Sequence, residues 1–252
     1  MKIVFSRKGF DSAAGGAPSP IIGGRPISLP IPTRRRSLTT YGALGLGKYV
    51  EQVTKGRLTR ASLCHCDPMF ERGRCAFGQT GAAQTHLSNH RVGVGDVFLF
   101  FGLFADEGGK DRHHRIFGYL QVESVERIGA SPGAASQPAG FSHRHPHTIG
   151  EWNPNNTIYL GHGDVAATAT EPLRLSRQGE QITQWHVPSW LRKAGLTYHS
   201  NPDRWKGTDA LTVVGRGQEF VADITTIPEA TKWLARIRAA IDYVDDKAAE
   251  LE

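Results

Sequence analysis

No apolar run in this 252-residue chain approaches the roughly 20 residues of a membrane-crossing helix, which excludes a helical span on sequence grounds. Export is not expected either. Met1 to Lys8 offers only Ile3, Val4 and Phe5 before Arg7 and Lys8, without the long apolar stretch and cleavage site that export requires. The expected location is therefore the cytoplasm. Cysteine is scarce: Cys64, Cys66 and Cys75 are an odd set, which argues against a disulfide framework and for reduced thiols. Neither a Walker loop nor a dinucleotide fingerprint occurs. With no internal repeat and no long linker, one domain over residues 1–252 is expected, Leu251-Glu252 being set aside as a vector remnant.

Acidic residues are nearly absent from the first quarter. Residues 1–60 hold eleven Lys and Arg against Asp11 and Glu51, a net +9; with +6 overall, the remainder carries −3. A concentrated basic segment is the electrostatic footprint of a protein that meets phosphates, although a solvated basic face has the same composition. Arg34, Arg35 and Arg36 are the candidate contacts to a nucleic-acid backbone.

The pattern of apolar residues predicts an α+β fold: a central, mostly antiparallel, barrel-like or strongly twisted sheet with long ordered loops and a C-terminal amphipathic helix. Residues 2–6, 96–101 and 115–122 read as strands, the last two as continuous apolar runs that pair across the polar segment 106–114. Shorter strands are expected at 157–160, 173–176, 211–214 and 219–222. A helix is expected over 40–54 and a short one near 80–89. From Pro228 onward, Trp233, Leu234, Ile237, Ile241, Val244 and Ala248 keep a helical stripe. Residues 7–36 and 129–157 are rich in Gly and Pro; Ile21, Ile22, Ile27, Leu29 and Ile31 favour packing of the first loop onto a core.

Four segments carry side chains suited to chemistry. Arg7, Lys8 and Asp11 leave the first strand into a glycine-rich loop, as an anion site would require. Cys64-His65-Cys66-Asp67 lacks zinc-ribbon and deaminase spacing; alternation puts His65 and Asp67 on one face and the two cysteines on the other. The expectation is no metal on Cys64, Cys66 and Cys75, with His65 and Asp67 as an acid/base or orienting pair. Gln79, Gln84 and His86 offer donors and acceptors that suit a base edge, while a tightly packed helix start explains their small neighbours equally well. Arg216 suits phosphate and Glu219 proton transfer, or the two form a surface salt bridge. Alternating histidines such as His143, His145 and His147 can bind metal adventitiously, but in this Pro-rich loop they are expected to be solvent-exposed.

The ordered series Ser6–Ser12, Pro18–Ile21, Ser28–Pro32, Cys64–Pro68 and Gly78–Leu87 continues with Gly95–Gly102, Ile116–Val122, Asn155–Tyr159, Tyr198–Ser200 and Arg216–Val221. It resembles the third nucleotide-modification-associated domain family, whose members are assigned to DNA base modification in bacteria and phages. The resemblance implies a role in making or processing modified nucleotides in DNA. It carries over to Arg7, Lys8, Asp11, His65, Asp67, Gln79, Gln84, His86, His199, Arg216, Gln218 and Glu219.

Two functions from different classes remain open at this point. One is an enzyme acting on a nucleotide or a base in DNA: catalysis by His65, Asp67, Asp11 and Glu219, binding by Arg7, Lys8, Gln79, Gln84, His86, His199, Arg216 and Gln218. The other is a non-catalytic reader of modified bases. It rests on a faint likeness of Gly95–Gly102 and Ile116–Val122 to the strand pair of barrel modules related to the pseudouridine-synthase and archaeosine-transglycosylase (PUA/EVE-like) family. Expected partners are DNA or a nucleotide and other base-modification proteins. The cofactor is unknown.

Overall fold

The computed structural model describes residues 1–215 and 219–244. Strand β1 (Lys2–Arg7) leads into a long loop carrying β2 (Ser19–Ile22), β3 (Arg25–Pro26) and β4 (Ile31–Pro32), then α1 (Gly47–Thr54). Strands β5 (Cys64–His65), β6 (Met69–Glu71) and β7 (Arg74–Gln79) follow, then α2 (Gly81–Asn89) and the long strands β8 (Val97–Ala105) and β9 (Arg112–Arg127). After β10 (Thr157–His162) come β11 (Gln184–His186), α3 (Ser189–Ala194), β12 (Trp205–Lys206) and β13 (Ala210–Thr212). Strand β14 (Glu219–Asp223) and helix α4 (Pro228–Asp242) close the described chain.

The main sheet is ordered β14-β1-β8-β9-β10-β7-β6, with β2 beside β8 and β3 beside β2. Along that path only β1 and β8 run parallel, so the sheet is mostly antiparallel and the fold α+β as the sequence predicts. It curls without closing. Gln79 at the end of β7 donates to Glu219 at the start of β14 over 2.7 Å, although four strands separate them in the sheet order.

Both faces of β1 and β8 are covered, which is why β8 reads as an unbroken apolar run. Ile3, Phe5, Leu99 and Phe101 join Trp185, Leu211 and the α4 residues Leu234, Ile237 and Ile241 on one face. Val4, Phe98, Phe100 and Phe104 join Phe77, Leu87 and Tyr159 on the other. The first loop is ordered as expected: Ile27 and Leu29 pack with Phe10, Tyr41, Val50 and Cys64. Ile31 is the exception and stays exposed.

Several expectations need correction. The helix sought within 40–54 spans only Gly47–Thr54, since Thr40 to Leu46 form turns around the glycines. No strand forms at 173–176; a single 3-10 turn at Glu171–Leu173 is followed by isolated bridges from Arg174 to Arg115 and from Ser176 to Trp185. Helix α4 ends at Asp242, and Val244, expected on its buried stripe, is exposed. An acidic residue is unfavourable beside the negative end of a helix dipole, consistent with an early stop at Asp242. Ala248 lies outside the described residues, among which no helix is long and apolar enough to cross a membrane.

Candidate active site

Strand pairing gathers the polar segments. Strand β4 pairs with β5 so that Ile31 lies opposite His65, and the following residues Arg35 and Arg36 line the same cavity as His65 and Asp67. Strand β1 delivers Arg7, Lys8 and Asp11 from the other side, and β7 ends there with Gly78 and Gln79. Together with His147 and Trp152 from the loop before β10 they line a cavity of about 720 Å³. Ligand clefts span roughly 300–1,000 Å³. A broader groove of about 1280 Å³ lies between α4 and the chain near β11, but its Arg177 and Asp209 pair with each other at 2.8 Å.

The centre of the cavity is the carboxylate of Asp67, whose side chain is 4% exposed. Its Oδ1 accepts from the amide of Gly78 at 3.0 Å and has His145 Nε2 at 3.6 Å. Its Oδ2 faces His147 Nε2 at 3.4 Å and His65 Nε2 at 3.6 Å. Burial alone would raise the Asp67 carboxyl, but the imidazoles of His145 and His65, and then the charges of His145 and His147, pull it well below the usual range. Burial pushes the His147 imidazole down to about 4, against the pull of Asp67, so this ring is neutral near pH 7. His65, Asp67 and His147 each offer a ligand atom within 4.8 Å of the others, enough to hold a metal ion.

Two of the three loop histidines are therefore not solvent-exposed as expected: His145 is fully buried and His147 nearly so, while His143 is half-buried. Pairing of the loop's ends draws them in, with Ile128 and Gly129 donating to the carbonyl of Asn156 and Trp152 to that of Ala130. Gly78 gives the rings room, since a Cβ there would meet ring atoms of both His147 and His145. Trp152 stacks on His147 with centroids 4.1 Å apart, and the Arg36 guanidinium lies 4.3 Å over the same indole. Sequence reasoning missed His147, Trp152 and Asn156. The signals were the alternation of histidines at 143, 145 and 147 and Asn155–Tyr159 within the family series.

Other candidates fall into three groups. Arg7, Lys8, Asp11, His65, Asp67, Gln79, Arg35 and Arg36 line the cavity, but several are engaged internally. Arg7 donates to the carbonyls of Gly215 and Val214, and Asp11 accepts from the amides of Ala13 and Ala14. Lys8 lies 2.9 Å from Glu219, which also takes the Gln79 amide, while the other end of Gln79 accepts from Thr80. A second group is absent from the cavity lining. Gln84 is buried between Tyr159 and Ser88, and His86 meets Thr197. His199 uses both nitrogens on backbone groups of Thr197 and Val214, and Arg34 lines a separate depression beside Leu58 and Leu63. The third group, Arg216 and Gln218, lies outside the described residues.

Cys64, Cys66 and Cys75 are free thiols in apolar surroundings. Burial pushes Cys64 up to about 12 and raises Cys66 and Cys75 as well.

Polar atoms without partners concentrate at this corner. Of eight such buried side-chain atoms among the described residues, five are Ser6 Oγ, Arg7 Nε, Thr80 Oγ1, His145 Nε2 and Glu219 Oε2. Ser6 lies opposite Glu219 in the β1–β14 ladder. Buried polar atoms are ordinarily satisfied, so a cluster of orphans marks a place for water or ligand.

Fold and site thus define an α+β protein with a cationic cavity around a buried carboxylate and imidazoles. By sequence the chain belongs to the family described as nucleotide modification associated domain 3, which it matches over residues 2–223. No curated protein and no solved structure matches it.

Proposed function

We propose that this protein is an enzyme that modifies a nucleotide, or a base in DNA, in the cavity at the curled corner of the sheet. The observation that carries the reading is the convergence of Asp67, His65 and His147 with the cations Arg35 and Arg36 at one cleft in a chain of this family. The arginines offer charge to a phosphate, and the imidazole–carboxylate group supplies proton-transfer or metal chemistry. Orphaned polar atoms of Arg7 and Thr80, both in the cavity lining, are available to the sugar or the base. Gln79, with both ends of its amide engaged, shapes the wall and does not read a base edge.

Nucleoside mass spectrometry of DNA and of the free nucleotide pool tests this reading, comparing cells that express the wild-type chain with cells that express Asp67→Asn. The expected outcome is a modified nucleoside or nucleotide with the wild type and none with the variant. Identical profiles, with selective binding of the purified protein to modified duplex, would favour the non-catalytic reader. Identical profiles without such binding would sink both.

A further inference from the structure

We propose that His65, Asp67 and His147 form a divalent transition-metal site with a coordination position open to the cavity. Protein ligands about 2.0–2.2 Å from a tetrahedral ion lie about 3.3–3.6 Å from one another. The separations from Asp67 Oδ2 to the two imidazole nitrogens are 3.4 and 3.6 Å. Those distances are long for hydrogen bonds to a carboxylate, which close to about 2.7–2.9 Å when charge assists them.

The proton positions argue the same way. Asn156 Nδ2 donates to the His147 carbonyl at 2.9 Å, which orients the amide so that its Oδ1 faces His147 Nδ1 at 2.6 Å. That nitrogen must then carry the proton, and Nε2 presents a lone pair towards Asp67 Oδ2. Two lone pairs facing each other inside a protein repel unless a cation lies between them. Conversely, His145 Nδ1 accepts from the His147 amide at 3.2 Å, so the proton of His145 is on Nε2, beside Asp67 Oδ1. The Gly78 amide holds Oδ1 at 3.0 Å and the His145 N–H faces the same oxygen at 3.6 Å, leaving Oδ2 to the ion. Such outer partners of the ligands accompany metal sites generally. Two imidazoles and one carboxylate suit zinc, iron or cobalt better than magnesium or calcium. The three residues line the cavity, so the remaining position faces whatever binds there.

The test needs no substrate and so stands apart from the proposed function. The full-length protein is stripped with chelator and titrated with Co²⁺, followed by visible absorption and by elemental analysis after exchange into Zn²⁺. One equivalent is expected, with the absorption of a low-symmetry four- or five-coordinate ion. His65→Gln, at a partly exposed position, should retain the wild-type unfolding midpoint in chelator yet bind at least ~100-fold more weakly. Asn156→Ala, which frees the His147 ring, should weaken binding by ~10–100-fold. His186→Ala, on an exposed histidine away from the cavity, should change nothing. Substoichiometric cobalt in the wild type, or undiminished affinity in His65→Gln, would overturn the site.

Discussion

Two places in this molecule bury a pair of histidines near an aspartate, and they are built to opposite ends. Beside Asp111, His113 Nδ1 donates to the Asp111 carbonyl, and its Nε2 accepts from Arg115. His114 Nδ1 takes the Trp185 indole proton at 3.0 Å, and Arg174 grips Asp111 with two bonds of 2.6 and 2.8 Å. These ring nitrogens are spent on the fold, and burial keeps the rings neutral, pushing His113 down to about 4 and His114 to about 3. Around Asp67 the Nε2 atoms of His65 and His147 are left aimed at one carboxylate oxygen beside an open cavity. The count of histidines and carboxylates does not separate the two places; what the nitrogens are spent on does.

The largest effect should come from dismantling the closed cluster. Trp185 is fully buried against Phe5, Phe101 and Phe220, so Trp185→Ala should cost about 3–5 kcal/mol in denaturant unfolding. Equal losses from Trp185→Ala and His65→Ala would erase the contrast between a structural and a functional cluster.

Acid should act next, through His113 and His114. Their folded pKa values lie below the usual 6.5, so the unfolded chain binds more protons between the two values. The stability they contribute is complete above about pH 6.5 and is lost as pH falls towards 4 and 3, by about 2 kcal/mol per histidine at pH 5. Denaturant midpoints at pH 7 and pH 5 should converge in a His114→Gln variant relative to the wild type. An unchanged pH slope would show that His114 is protonated in the folded protein.

A smaller cost is expected at Gly78, where Gly78→Ala should destabilise by about 1–3 kcal/mol through crowding of the His147 and His145 rings. It should weaken cobalt binding as well. Loss of stability with intact binding would mean that the rings move together without disturbing their nitrogens.

The subtlest effect concerns salt. If duplex DNA binds, neutralising Arg34, Arg35 and Arg36 should lower the slope of log affinity against log salt by about 0.9 per lost phosphate contact. Arg34 lies off the cavity, so Arg34→Gln alone should leave the slope unaltered while Arg35→Gln and Arg36→Gln reduce it. Equal effects from all three would indicate a diffuse basic face.

How much of this was legible in the sequence depends on where the determining contacts lie. Strands β1, β8 and β9 and helix α4 announce themselves through apolar runs and a helical stripe, because burial there follows from local pattern. Strand β7 does not: Arg74-Cys75-Ala76-Phe77-Gly78-Gln79 has no β-branched residue, and β6 and β10 on either side hold it in place. At the site, His65 and Asp67 could be paired from alternation within one segment. His147 could not, since its burial depends on a missing Cβ sixty-nine positions away and on a loop closed at Asn156. Residues from the family series such as Gln84 and His199 proved to hold other parts of the fold together, a role that a motif does not distinguish from contact with a ligand.

The stack of Arg36, Trp152 and His147 has an optical consequence. Of the five tryptophans, Trp185 and Trp190 are buried in the core beneath α4, and Trp205 and Trp233 pack against it. Trp152 alone among them lines the cavity, its indole wedged between an imidazole and a guanidinium. Its emission is therefore separable from the rest by subtracting the spectrum of a Trp152→Phe protein. Anything that draws Arg36 away or charges the His147 ring alters the quenching of that single fluorophore. The chain thus carries a native reporter against which candidate nucleotides and metal ions can be screened without a label.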